Sequence, residues 1–344
     1  MKTKGCLDNP GSLVKFGGTF MRDVKTVGIL TSGGDAPGMN AAIRAVVRTA
    51  LASGMKVKGI RHGYAGLLNN EIIDMDSKMV HEIARLGGTI LFTARCDEFK
   101  TKEAQQRGAE ILKENGIDGL IVIGGDGSFR GAQKLSELGI NTIAIPGTID
   151  LDINCTEYTV GFDTAVNTAM EAIDKVKDTS TSHERCSIIE VMGRNAGHIA
   201  LWCQMANGAD GILIPERDEF DEQDLIDTIL RNRSKGKSHH VIINAEGVGH
   251  TDRLARRIEA ATGIETRATI LGHIQRGGAP TARDRVVAAT MGGYAVDLLH
   301  RGETNRVICI KNGAYTDFDI DEGLAMEKTI DEYQFLISRL MSMY

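Results

Sequence analysis

Two short segments carry the residues best suited to chemistry. The first, Leu120-Ile-Val-Ile-Gly-Gly-Asp-Gly-Ser-Phe129, is an apolar run ending in glycines, an acid and a hydroxyl. Read as a buried strand entering a helix, it exposes backbone N–H groups at the helix N-terminus, a natural seat for phosphate. Asp126 adds a carboxylate suited to Mg²⁺ at the same spot. The second segment, Pro146-Gly-Thr-Ile-Asp-Leu-Asp152, follows shortly after. Taken as extended chain, with side chains alternating, it predicts Thr148, Asp150 and Asp152 on one side. Amides for nucleotide phosphates, a metal carboxylate and a candidate base together fit phosphoryl transfer. Each feature alone has a plainer explanation. An acid after a strand often caps a helix, and a glycine-rich turn is often only a tight connection.

The elements that must hold these segments alternate from Lys25 onward. Val27-Gly-Ile-Leu reads as a strand, Thr31-Ser-Gly-Gly-Asp-Ala-Pro-Gly-Met-Asn40 as a glycine-rich turn, and Ala41–Leu51 as a helix with Arg44 and Arg48 at i, i+4. Further strands are predicted at Lys56–Ile60, Gly119–Ile123, Thr142–Ile145, Cys186–Val191, Gly211–Ile214, His240–Ala245, Glu265–Thr269 and Arg306–Ile310. Helical patterns fill most gaps, notably Val166–Lys177 and Glu222–Arg233. The alternation predicts an α/β fold, a parallel sheet with helices on both faces. Ligands of such sheets gather at the carboxyl ends of strands, where both glycine motifs fall.

Composition narrows the partners. With 344 residues the chain is long enough for two α/β domains, and 42% hydrophobic with 25% charged residues is ordinary for a globular enzyme. A net charge of −6 argues against nucleic acid as the main partner, so anionic ligands must meet local arginine clusters. No apolar run approaches the ~18 residues of a membrane span. The six cysteines are scattered with no metal spacing, which predicts free thiols in a cytoplasmic protein. Residues 1–20 lack periodicity and any apolar leader core, and are predicted as a loop-like or disordered appendage.

Five ordered blocks now carry a resemblance. Thr31–Asn40, Gly124-Gly-Asp-Gly-Ser128, Pro146-Gly-Thr-Ile-Asp150, Glu190-Val-Met-Gly-Arg194 and Leu271-Gly-His-Ile-Gln-Arg-Gly-Gly278 together resemble the bacterial ATP-dependent 6-phosphofructokinases. The resemblance implies two lobes, each a mostly parallel sheet with helices on both faces. A larger ATP-binding lobe would take 21–161 and 275–325, and a smaller fructose 6-phosphate lobe 162–274 and 326–344. It implies a glycolytic kinase acting on ATP and fructose 6-phosphate with Mg²⁺, a homotetramer with shared sites, and no nucleic acid or membrane partner.

Residue by residue, the resemblance assigns Asp150 as the base that takes the proton from the sugar 1-hydroxyl as it attacks the γ-phosphoryl group. Thr148, Gly34, Arg95 and Arg194 would serve the transferring group, and Asp126 and Asp152 the metal. Gly34, Tyr64, Arg95, Cys96, Phe99, Lys100, the amides of Gly125, Asp126, Gly127 and Ser128, and Gly131 match nucleotide positions. Cys96 would be a neutral wall residue. Thr148, Ile149, Asp150, Met192, Gly193, Arg194, Glu246, His273, Ile274, Gln275 and Arg276 match sugar-phosphate positions. Arg185 and Arg267 would reach in from the neighbouring subunit. Arg283 and Arg285 match nothing and are read as surface charge. An effector site for ADP or phosphoenolpyruvate maps to Arg44, Arg48, Lys177, Gly208, Asp210, Lys235, Lys237, Ser238 and His239, with Gly236 alongside. Two family arginines are replaced there by Ser77 and Lys177, and a Glu by Asp210.

One departure and three alternatives bear on function. The family usually has Asn where this chain has Leu151; alternation would turn that side chain into the protein. Diphosphate-dependent relatives usually carry Asp at Gly127 and Lys at Gly147, so two glycines favour ATP. A non-catalytic effector-binding paralogue is the second alternative. An NAD-dependent dehydrogenase is the third, and it lacks its G-x-G-x-x-G opening.

Overall fold

The computed structural model describes residues 24–217 and 222–342. The appendage predicted at 1–20 lies outside the described residues. The chain runs β1 (Thr26–Thr31), α1 (Met39–Ala52), β2 (Lys56–Ile60), α2 (Gly63–Leu68), β3 (Ile72–Met75), α3 (Lys102–Glu114), β4 (Gly119–Gly124), α4 (Asp126–Glu137) and β5 (Asn141–Pro146). It continues through α5 (Phe162–His183), β6 (Cys186–Val191), α6 (His198–Asn207), β7 (Gly211–Leu213), α7 (Glu222–Ser234), β8 (His240–Ala245), α8 (Thr251–Thr262) and β9 (Thr266–Ile270). The last elements are α9 (Ala282–His300), β10 (Arg306–Lys311), β11 (Ala314–Asp319), α10 (Ile320–Ala325) and α11 (Glu332–Met341).

These elements form two compact units. The first holds the chain up to Thr148, Ile153–Gly161 and Ala279–Met326; the second holds Ile149–Asp152, Phe162–Gly278 and the chain from Glu327. The boundaries differ from the sequence-based ones at 149–152, 275–278 and Met326. Segment 149–152 leaves its neighbours because its side chains find partners in the second unit, described below.

In the first unit, among the described residues, seven strands run β11-β10-β5-β4-β1-β2-β3. The middle pairings are parallel, and β3 and β11 close the two edges antiparallel. Strands β1 and β4 are buried along their whole length, the signature of a parallel sheet covered on both faces. Leu30, Leu120, Val122 and Ala144 pack with Leu67, Leu112 and Phe129 from α2, α3 and α4. Strand order reverses about β1 and β4, and the crevice beyond the carboxyl ends at such a reversal is where open α/β sheets bind ligands.

In the second unit, four described strands run β7-β8-β6-β9, all parallel. Ile188 and Ile242 pack against Leu225, Ile229 and Ile258 of α7 and α8. Helix α5 spans Phe162–His183, well beyond the Val166–Lys177 pattern. No helix among the described residues is long and apolar enough to cross a membrane.

Candidate active site

In the first unit the glycine-rich turns after β1 and β4 meet. A Cβ on Gly124 would fall 2.5 Å from the Ser32 carbonyl and 2.6 Å from Ser128 Oγ, so only glycine lets the two turns touch. The Thr93 hydroxyl donates to the Gly33 carbonyl at 2.7 Å, and the Thr31 hydroxyl to Phe92 at 2.7 Å. These bonds bring the exposed Arg95 and half-buried Cys96 stretch to the β1 turn beside exposed Gly34. Gly125 caps α4, and Asp126 is its first residue. First-turn amides point out of a helix end and create an anion seat. The Ser128 amide is an exception to the predicted donor set, since it already donates to the Gly125 carbonyl at 3.0 Å.

Tyr64 and Gly131 act as one piece. The Tyr64 hydroxyl donates to the Ser128 carbonyl at 2.6 Å, its ring stacks on Phe99 at 4.2 Å, and a Cβ on Gly131 would strike it. Burial pushes the Tyr64 phenol above its ordinary range. Tyr64 thus braces the α4 turn. Lys100 pairs with Asp97 at 2.6 Å at the surface.

The second acid-bearing segment is not extended as predicted. Thr148 belongs to the first unit, where its carbonyl accepts from the Thr159 hydroxyl at 2.6 Å. The backbone then bends at Ile149 and Asp150, and Leu151 adopts the left-handed region at φ 57°. Leu151 is buried at 5% exposure, as predicted, but through this bend and not through alternation. A leucine there costs roughly 1–2 kcal/mol, which Asn or Gly would lessen. The Lys328 ammonium, 177 residues on, donates to the Leu151 carbonyl at 2.7 Å.

Within the second unit each acid of the bend faces an arginine. Arg276 Nη2 lies 4.0 Å from Asp150 Oδ2, and Arg194 Nη1 lies 3.3 Å from Asp152 Oδ2. The loops bearing these arginines leave the carboxyl ends of β6 and β9 and are locked from behind. Glu246, just after β8, accepts from the amides of Gly193 at 3.1 Å and Arg194 at 2.5 Å. Fully buried Gln275 accepts from the Met192 amide at 2.8 Å. Gly193 at φ 145° and Arg194 at φ 57° form the tight turn this demands. His273 is exposed, Ile274 is 56% exposed, and the Ile149 side chain is fully buried.

Arg185 and Arg267 are not part of this cluster. Arg185 precedes β6 and Arg267 sits near the start of β9, paired in register with Ser187. Both converge on Glu265, at 2.8 Å and 2.6 Å. At about 3.3 Å per residue, the strands separate them from Arg194 and Arg276 by roughly 15–20 Å. The arginines beside Glu265 also hold its carboxyl below the ordinary value.

The predicted effector residues of the second unit gather beside β8. Buried Asp210 accepts from Lys237 at 2.5 Å, Asn232 at 3.2 Å and the Val241 amide at 2.9 Å, with His240 3.7 Å away. Burial raises the Asp210 carboxyl, but these donors outweigh it and leave it below its usual value. Lys177 donates to the Asn207 carbonyl at 2.8 Å, next to Gly208, the left-handed cap of α6. His239 is pushed down by burial and by the Lys237 and Lys177 charges. Lys235 and Ser238 belong to the exposed turn between α7 and β8. Arg44 and Arg48 lie on the outward side of α1 in the first unit.

Arg283 is exposed, as predicted, and Arg285 is half-buried. The Arg283 guanidinium lies over the Tyr158 ring at 4.4 Å, and Arg285 Nε donates to the Pro280 carbonyl at 2.7 Å. The scattered cysteines include one close pair, Cys155 and Cys309, with sulfurs 3.1 Å apart in the core. Lys328 was invisible in the sequence, being one lysine in a loop with no motif around it.

For a divalent cation, the donor chemistry fits a site completed by phosphate. No group of three His, Cys, Asp or Glu able to hold a metal occurs among the described residues. Asp126 stands half-exposed at the helix end with open space at Gly125 and Gly127. One carboxylate plus phosphate oxygens and water is how Mg²⁺ is usually bound beside nucleotides.

The chain is 57% identical to an ATP-dependent 6-phosphofructokinase of Clostridium botulinum over 319 residues, 93% of this chain and 100% of that one. It is 58% identical to ATP-dependent 6-phosphofructokinase 1 of Clostridium perfringens, covering 90% and 97%. The solved phosphofructokinase of Saccharomyces cerevisiae matches with a TM-score of 0.80 and 36% identity. That match covers 87% of this chain and 45% of the yeast chain, so this protein spans less than half its length. The pyrophosphate-dependent phosphofructokinase of Marinobacter aquaeolei shares the fold, with a TM-score of 0.79 at 23% identity. With residues 26–299 matching the family's sequence pattern as well, this chain belongs to the phosphofructokinase family.

Proposed function

We propose that the protein transfers the γ-phosphoryl group of ATP to the 1-hydroxyl of fructose 6-phosphate, giving fructose 1,6-bisphosphate and ADP. The observation that carries this is the bend at Asp150–Asp152, whose two acids face Arg276 and Arg194. Asp150 takes the hydroxyl proton as the sugar oxygen attacks phosphorus and the bond to the ADP oxygen breaks. Arg194 and Arg276 neutralise phosphate charge, and Thr148 orients the transferring group. Such a reaction rests mostly on positioning and electrostatics. The first unit serves as nucleotide lobe, with Gly34, Arg95 and the α4 amides holding phosphates. The second serves as sugar-phosphate lobe.

The family's kinases need a divalent metal, and we assign it as Mg²⁺, with Asp126 the residue that holds it. When bound it would offset charge on the β- and γ-phosphates. Asp152, paired with Arg194, would act on it only through water.

The donor argument has a steric side. A Cβ on Gly127 meets nothing within 4 Å, leaving room for a nucleotide, while one on Gly147 would fall 2.9 Å from the Ile123 side chain. A lysine at 147, as diphosphate-dependent enzymes would place it, would have to push the Ile123 side chain aside. A coupled assay with fructose 6-phosphate tests the reading. Turnover is expected with ATP; turnover with diphosphate alone would overturn it.

The position of Arg185 and Arg267 supports a shared assembly. Too far from Asp150 in their own chain, they would bind the 6-phosphate in a neighbour's site, within a cytoplasmic homotetramer. The Asp210–Lys237 cluster would then bind ADP or phosphoenolpyruvate together with Arg44 and Arg48 of another subunit.

A further inference from the structure

Leu151 is an unusual residue to find between two functional carboxylates. Its left-handed backbone is one that β-carbon-bearing residues avoid, with Asn, Asp and Gly the exceptions. Its side chain supplies no polar atom to hold the turn, so the turn must be held from elsewhere. The visible external tie is the Lys328 ammonium on the Leu151 carbonyl at 2.7 Å, in a partly buried setting. That carbonyl belongs to the peptide joining Leu151 to Asp152, so fixing it fixes both the left-handed twist and the exit direction toward Asp152.

Lys328 is itself well anchored. Two residues on, Ile330 is 3% exposed, and α11 follows at once, tied to α6 by Gln204 donating to the Ser338 carbonyl at 3.0 Å. The Lys328 charge also reaches His198, the first residue of α6, whose imidazole is depressed by burial first and by Lys328 second. Helix α6 begins directly after the Gly193–Arg194 turn. Lys328 therefore stands against the backbone of the acid bend and at the root of the arginine turn that faces it.

We propose that Lys328 is a positioning residue for phosphoryl transfer, holding Leu151 in its left-handed conformation so that Asp150 and Asp152 keep their orientations toward Arg276 and Arg194. This rests on Asp150 being the base. In this role the lysine acts through its bond to the Leu151 carbonyl rather than on a reacting atom.

The test exploits the backbone. In the full-length enzyme, kcat and the KM values for ATP and fructose 6-phosphate are measured for Lys328→Met with Leu151 intact and with Leu151→Asn. Asn tolerates the left-handed region unaided, so it should relieve the dependence on Lys328. With Leu151 intact, Lys328→Met is expected to lower kcat about tenfold or more, with KM for ATP within about twofold. In the Asn background the same change should lower kcat less than about threefold, and Lys328→Arg should recover most of the parent rate in the Leu background. Equal losses in both backgrounds would overturn the proposal, as would a Lys328→Met enzyme within twofold of the parent. If Lys328→Met does not fold, Lys328→Gln, whose shorter amide cannot span the gap, is compared in the same two backgrounds. Asp150→Asn is assayed in parallel. If it stays active the base assignment fails, whereas an inactive Asp150→Asn with equal Lys328 losses sinks the positioning role alone.

Discussion

The two ends of the four-stranded sheet use the same residue types to opposite effect. At the carboxyl ends of β6, β8 and β9, arginines are spent on acids of the same chain: Arg194 on Asp152, Arg276 near Asp150, with Glu246 and Gln275 holding the loops. At the amino ends, Arg185 and Arg267 share one half-exposed carboxylate, Glu265, and two guanidiniums on one acid leave a net positive charge. The first end is a finished, internally paired cluster, and on the proposed reading it is the reaction centre. The second is cationic and outward, suited to a dianionic phosphate delivered on another surface. On the proposed reading, one chain would supply a reaction centre and, a sheet's length away, the phosphate grip for a different centre.

The largest effect should come from breaking the finished end. Asp150→Asn keeps the shape but cannot accept a proton, so kcat should fall by ~10²–10⁴-fold with fructose 6-phosphate KM little changed. Steady-state kinetics within tenfold of the parent would remove Asp150 from the role of base. Breaking the outward end should look different. Arg267→Ala should raise the fructose 6-phosphate KM by roughly 10–100-fold, the worth of a charge-assisted contact, and leave ATP binding alone. Mixing it with Asp150→Asn under subunit exchange should restore some activity, because one interface then pairs an intact base with an intact arginine. Proven mixed tetramers without recovery would mean that each centre is built from one chain.

How much of this was legible beforehand depended on range and symmetry. Buried parallel strands announce themselves as apolar runs, and Lys56–Ile60, Cys186–Val191 and His240–Ala245 fall where predicted. The antiparallel edge strands β3 and β11 were missed because Ile-Ile-Asp-Met and Ala-Tyr-Thr-Asp-Phe-Asp are half-exposed and mix polar with apolar residues. The family motifs supplied the residues of the proposed site, but motifs do not carry backbone signs. Nothing about a leucine signals φ 57°, so Asp150 and Asp152 were placed on a straight segment that in fact bends. Lys328 and the ring contact of Arg283 depend on pairings more than a hundred residues apart, which no local pattern encodes.

The finished end should also be the acid-sensitive one. His198 is pushed down to about 4 from an ordinary 6.5, by burial and by Lys328. A depressed imidazole means that the folded state prefers it neutral. Its contribution is complete above about pH 6.5 and is lost as pH falls toward 4, when the unfolded chain binds the proton first. Because the ring is only partly buried, the loss should be on the order of 1–3 kcal/mol. Thermal unfolding of His198→Gln against the parent at pH 7 and pH 5 measures it: the variant should lose less stability on acidification. An equal loss in both would place the acid sensitivity elsewhere.

The smallest effect concerns the proposed effector cluster, where Ser77 and Lys177 stand in place of the arginines that the resemblance led us to expect. Ser77 sits exposed in the turn after β3 whose amides are capped by Asp76, so an arginine there would meet no steric obstacle. Lys177 donates to the Asn207 carbonyl and can offer a point charge but no bidentate fork. Asp210 is already neutralised by Lys237 and the Val241 amide, so it adds little repulsion toward an anion. With Lys237 already engaged by Asp210, the proposed cluster should bind ADP and phosphoenolpyruvate weakly. Ser77→Arg should tighten both by roughly tenfold, about 1.4 kcal/mol. Fructose 6-phosphate saturation curves with and without each effector read this directly. A parent that already responds at micromolar effector, with no gain from Ser77→Arg, would show that this cluster holds its ligands through contacts the arginine never made.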